Sequence, residues 1–129
     1  MPDIYTDVGK KITAHRLKGT GGYDEPVYFG WGTGAGTAAT ADTTLATETD
    51  VGAGRPAGAS SVVTVTHTDD TYQVVVSKEN TSGVTRNLTN VGLFDADTAG
   101  RLFLKQSFST IPLIDTATLT ATFKLQLLD

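Results

Sequence analysis

The residues of this chain that could do chemistry are a glycine run, two aspartate-rich turns, three glutamates and two histidines. Gly30-Trp31-Gly32-Thr33-Gly34-Ala35 has the spacing of a dinucleotide-binding fingerprint, and Glu48 or Asp50 lies near the distance of a ribose-binding acid. That chemistry needs a helix opening at the glycines, to aim its N-terminal amides at a pyrophosphate, and a parallel strand behind it. The residues that follow, Thr37–Ala41, lead into antiparallel strand patterns, so a tight loop beside a buried Trp31 is expected instead. No Gly-Lys-Ser/Thr follows any glycine run, which excludes a phosphate-binding P-loop.

Asp95-Ala96-Asp97-Thr98-Ala99-Gly100 begins like a calcium loop. It lacks an oxygen ligand at Ala99 and has Gln106 where a bidentate Glu belongs, so an aspartate-stabilised turn is expected. His15 and His67 fall on separate predicted elements and read as structural. With no cysteine, disulfides, thiolate zinc sites and thiol nucleophiles are excluded. No serine sits in a nucleophile-elbow context, and Glu25, Glu48 and Glu79 fall in predicted loops or turns. The reading is of a protein without catalytic residues, metal or cofactor.

The elements that would position such residues are mostly strands. A chain of 129 residues, 39% hydrophobic and 19% charged, suits one domain with a real core. Its 23 threonines are β-branched and favour an all-β reading. A net charge of -4 with scattered basic residues argues against nucleic acid. The one basic cluster, Lys10, Lys11, Arg16 and Lys18, reads as a solvated helix face. No apolar run reaches membrane-spanning length, and Met1–Tyr5 has no apolar signal region. The sequons at Asn80 and Asn87 then read as coincidental.

Ile4, Val8 and Ile12 share a stripe with His15, predicting a helix from Thr6 to Lys18 with Thr6 as N-cap and Gly19 as its stop. Gly9 and Thr13 weaken it, and a strand through Lys11–His15 is the alternative. Val27–Trp31 reads as a buried strand, Asp42–Thr49 as a short helical turn with Leu45 inward, and residues 51–59 as an extended loop or arm. Alternation then predicts a hairpin of Ser60–Thr68 and Tyr72–Ser77 across Asp69-Asp70, a turn at Asn80–Gly83 and a strand at Val84–Thr89. Strands follow on either side of the Asp95–Gly100 loop, the second over Arg101–Ser109, with a short link at Ile111–Leu113. The closing strand is the clearest: Leu119, Ala121, Phe123, Leu125 and Leu127 on one face, Thr118, Thr120, Thr122, Lys124 and Gln126 on the other. The predicted fold is mainly β, an antiparallel sandwich or barrel-like single domain with one short N-terminal helix.

Tyr5 and Tyr23, in flexible segments, are candidate partner contacts because tyrosine is enriched at interfaces, and Val51, Arg55 and Pro56 join them from the Gly/Ala/Pro-rich stretch. Several segments also occur in a telling order, beginning with Thr6–Ile12 before a Gly-containing loop. Tyr28–Gly34 leads to Asp42–Glu48; Asn90-Val91-Gly92-Leu93-Phe94-Asp95 leads to Gly100–Leu104; an amphipathic strand closes. This succession resembles small virion structural proteins of tailed bacteriophages, of the head decoration (cement) type and, in pattern, the N-terminal domains of tail-fibre or collar proteins. The resemblance implies a homo-oligomer, with a trimer favoured, that binds the major capsid protein or other virion proteins on the capsid exterior after synthesis in the host cytoplasm. A fibre protein would continue into a shaft, whereas this sequence stops after the closing strand, which favours decoration over a collar, baseplate or receptor-binding role.

Overall fold

The computed structural model describes residues 3–51 and 54–127. Its elements in chain order are β1 (Ile4–Tyr5), α1 (Asp7–Lys18), β2 (Tyr28–Gly32), β3 (Glu48–Thr49), β4 (Ala59–Val63), β5 (Thr71–Glu79), β6 (Arg86–Phe94), β7 (Leu102–Leu113) and β8 (Thr118–Gln126). They form a five-stranded sheet in the order β1-β7-β6-β2-β3 and a three-stranded sheet in the order β4-β5-β8, antiparallel throughout. This is the mainly-β, sandwich-like architecture with one short helix that the alternation patterns predict.

The core lies between the sheets because strand side chains alternate. Phe29, Trp31, Leu93 and Leu104 of the larger sheet join Val74, Val76 and Phe123 of the smaller in one buried cluster. The Phe29 ring meets Trp31 and Phe123 edge-on at 6.2 and 6.0 Å. Burying a side chain such as Phe123 contributes about 1.5–3 kcal/mol. The expected face of β8 is confirmed at Phe123, which is fully buried, while Leu127 lies beyond the strand and is exposed.

Helix α1 starts and stops where its caps dictate. The Thr6 hydroxyl accepts from Gly9 N at 2.8 Å, and Gly19 takes the left-handed conformation at φ 81°. The glycine that weakened the helix prediction is what lets it dock. A Cβ on Gly9 would stand 2.4 Å from the Phe103 carbonyl oxygen. Phe103 is itself the extra residue of a β-bulge, since Leu93 pairs with Leu104 and Phe94 with Leu102. The carbonyls at this irregularity take the helix cap: Thr6 Oγ1 donates to Leu102 O at 2.7 Å, and Thr6 N to Phe103 O.

Three expectations need correction. Asp42–Thr49 forms no helical turn: Asp42 Oδ2 accepts from Ala39 N and from Lys105 Nζ, a residue remote in sequence, and the segment ends in β3. Leu45 does pack inward. The strand expected over Ser60–Thr68 stops at Val63, because the Asp70 carboxylate accepts from the amides of Val65, Thr66 and His67 and curls them into a loop. Ile111–Leu113 is no separate link, since β7 runs unbroken to Leu113. Of the predicted arm, Gly52 and Ala53 lie outside the described residues. Arg55 N donates to Asp97 O, residues 56–58 run along β2, with Phe29 N donating to Pro56 O and Gly58 N to Val27 O, and Ala59 already opens β4.

Candidate functional site

Helix α1 lies beside the ends of β5, β7 and β8 without closing over them. The result is an apolar groove of ≈ 260 Å³ whose walls include Ile12 and Leu17 from α1, Tyr72 from β5, Leu125 from β8, and Pro26 and Leu127. Ile12 points into the core. Leu17, five positions on at ~100° per residue, is turned roughly 140° away and is 85% exposed. Leu127 is 64% exposed. Tyr72 donates its hydroxyl to Pro26 O at 3.0 Å, and burial, then the nearby Glu25 carboxylate, pushes its phenol well above the usual range. The rim carries Arg16, which donates to Tyr23 O, and Glu25, which accepts from Ser60 Oγ. This groove offers apolar surface with a charged rim, the makings of a binding site. Among the described residues that line it, no hydroxyl is hydrogen-bonded to a carboxylate or histidine.

The predicted contact residues separate into two groups. Tyr5 and Tyr23 flank α1. Tyr5 donates to Thr13 Oγ1 at 2.6 Å and meets the Phe103 ring edge-on. Tyr23 stacks on His15 at 4.1 Å between centroids, with the Arg101 guanidinium 4.2 Å from its ring centre. Val51, Arg55 and Pro56 lie elsewhere, near β2 and β3. Val51 and Pro56 are half-buried, whereas Arg55 is 8% exposed. Its guanidinium grips Glu48 with two hydrogen bonds of 2.8 and 2.9 Å, donates to Ala96 O and Ala99 O, and lies 3.6 Å from the Phe94 ring centre. Arg55 therefore ties β3 to the Asp95–Gly100 loop. Gly30 provides the room, since a Cβ there would come 2.5 Å from Glu48 Oε2.

The motifs set aside on sequence grounds have structural roles. No helix opens at the glycines, and β2 pairs antiparallel with β3 and β6. Gly32 instead faces Ala46 O, which a Cβ would approach to 2.3 Å. Asp95 accepts from Arg101 N and Nη1, one on each carboxylate oxygen. Among the described residues, no group of three or more His, Asp or Glu is placed to hold a metal ion. The two histidines lie apart, His15 against Tyr23 and His67 in the Asp70 loop.

Sequence reasoning missed several polar anchors. Asn90, 2% exposed, clamps Ala46 by accepting from its N–H and donating to its carbonyl. Lys105, 6% exposed, donates to Asp42 Oδ2 and Thr44 O, and this hydrogen bond holds the Asp42 carboxyl below its usual range. Asp70 is held lower still by the amides of His67 and Val65, with Gln126 and Thr71 also donating. Lys78 sits with its ammonium 4.6 Å from the Trp31 ring centre and donates to Asp50 O. Burial lowers its pKa against the opposing pull of Asp50. The Trp31 indole N–H has no partner among the described residues. The one local signal was Asn90, a polar residue at a strand position that alternates with Gly92 and Phe94 on one face.

Fold and groove together define an antiparallel, two-sheet β-sandwich-like domain with a helix set at one mouth. No protein family, curated protein or solved structure significantly matches this chain. Among the described residues, no helix is long and apolar enough to cross a membrane.

Proposed function

We propose that this protein is a non-enzymatic structural component of a tailed-bacteriophage virion, one that binds the exterior of the assembled head through the major capsid protein and stabilises it. The observation that carries the assembly role is the groove beside α1, with Leu17 and Leu127 left 85% and 64% exposed at its edge. Apolar surface held in a fixed concavity favours docking onto another surface. Two charged pairs serve as internal struts, Arg55 with Glu48 and Lys105 with Asp42. The virion setting comes from the order of the Tyr28–Gly34, Asp42–Glu48 and Asn90–Leu104 segments. A decoration protein binds the shell and not its loose subunits, so its binding free energy stabilises the shell directly. Many copies engaging together make modest single-site affinity sufficient.

The test is co-sedimentation of purified protein with phage heads that lack it, counting bound copies per particle. Saturation at hundreds of copies, with heads that survive higher temperature, supports the reading. About a dozen copies at one vertex, or binding to tails alone, moves the protein to a collar, baseplate or fibre-attachment role. Turnover of host polysaccharide that is lost on changing Glu25, in a variant that still folds, would overturn the non-enzymatic assignment.

A further inference from the structure

At the far end of the strands lies a second apolar patch. Here β5 and β7 end and β6 and β8 begin, and Ile114, Val84 and Ile111 are 62%, 52% and 37% exposed. The patch forms a strand-end tip braced by hydrogen bonds. Asn80, fully buried, donates to Val84 O and Leu113 O, while Asp115 accepts from Gly83 N. Tyr72 in the groove and Glu79 at the tip are seven strand steps apart, roughly 23 Å at ~3.3 Å per residue. One copy cannot bring its own tip to its own groove.

We propose that groove and tip are the two halves of one interface between copies of this chain, the Ile114 tip of one copy seated in the α1–β8 groove of the next. Charge selects this pairing. Among the described residues, α1 carries Lys11, Arg16 and Lys18 without an ion-pair partner, and the tip carries Glu79 and Asp115 likewise. The contrary charges are fewer: Glu25 on the groove rim, which accepts from Ser60, and half-buried Lys78 near the tip, which donates to Asp50 O. Groove against groove would set one basic helix on another. Groove against tip sets basic on acidic, with Ile114 between. Size agrees, since a cavity of about 150 Å³ already takes a benzene ring and the groove offers ≈ 260 Å³. A preformed groove meeting a braced tip loses little freedom on association. Such a contact is heterologous, so it closes into a ring or extends as a chain according to the rotation between copies. The inference concerns how copies meet and stands whether or not the shell reading holds.

The test needs the protein alone. Sedimentation velocity of the wild-type chain at about 100 µM should show species larger than a monomer, weakening as salt rises. Leu17→Asp breaks the groove and Ile114→Asp breaks the tip; both positions are exposed, and thermal melts should match wild type. Each variant alone should be monomeric. Their equimolar mixture should form dimers that stop at two, the intact tip of one variant in the intact groove of the other. A wild-type chain that stays monomeric, or a mixture that stays monomeric while wild type associates, overturns the proposal.

Discussion

The two faces of the five-stranded sheet are buried by different means. The face toward the smaller sheet is covered by Phe29, Trp31, Leu93 and Leu104 packed on Val74, Val76 and Phe123, with the Lys78 ammonium over Trp31. The opposite face has a small apolar cluster of Leu45, Phe94 and Leu102, with Tyr28 half-buried against it. Around this cluster stand the Arg55–Glu48 pair, the Lys105–Asp42 pair and the Asn90 clamp. Gly30, Gly32 and Gly92 lie here, and each would clash with a neighbour if it carried a Cβ. The first face is stabilised by area removed from water, which is divisible and non-directional. The second depends on partners, so losing one strands the other.

The comparison breaks most completely at Phe123. Phe123→Asp places an unpaired charge in the apolar face and should leave the domain unfolded by circular dichroism, whereas Lys124→Asp on the exposed side should fold. Equal behaviour of the two would mean that β8 is in the wrong register. On the polar face, Arg55→Met leaves Glu48 without its partner and should cost about 3–5 kcal/mol in urea unfolding. The double variant Arg55→Met/Glu48→Met should recover most of that loss, a coupling that two independent positions would not show. Gly92→Ala pushes a methyl to 2.7 Å from Leu45 Cδ2 and should cost about 1–3 kcal/mol.

The mildest perturbation is acid. The Lys105 hydrogen bond lowers the Asp42 pKa, so its contribution is present above the ordinary carboxylate pKa of about 4 and is lost as pH falls below it. Asp42→Asn should therefore lower the melting temperature near neutrality and make stability less sensitive to pH below about 4. The apolar face should be indifferent to the same titration.

What the sequence made legible follows the same division. The closing strand, the Tyr72–Val76 alternation and both caps of α1 are local patterns, and they form as read. The Asp42–Thr49 segment is not legible locally because its decisive contact, Lys105, lies 63 positions away. Strand β4 ended early because Asp70 satisfies three amides before it, a competition between side chain and sheet that alternation does not reveal. In sequence Arg55 has the look of a surface contact, because Glu48, Phe94 and the carbonyls of Ala96 and Ala99 converge on it only in the folded chain. The groove had a trace in Leu17, an apolar residue off the helix stripe. Its other wall required knowing where β8 ends.

The bulge that receives α1 also sets a clock. Thr6 and the Leu102 carbonyl it binds are 96 positions apart. During synthesis at ~5–20 residues per second, the helix is made about 5–20 seconds before the strand that will hold it. A helix of 12 residues is marginal in water on its own. The first sizeable element to emerge is thus among the last to settle, and until β7 arrives Ile12 and the walls of the groove remain open to whatever the nascent chain meets.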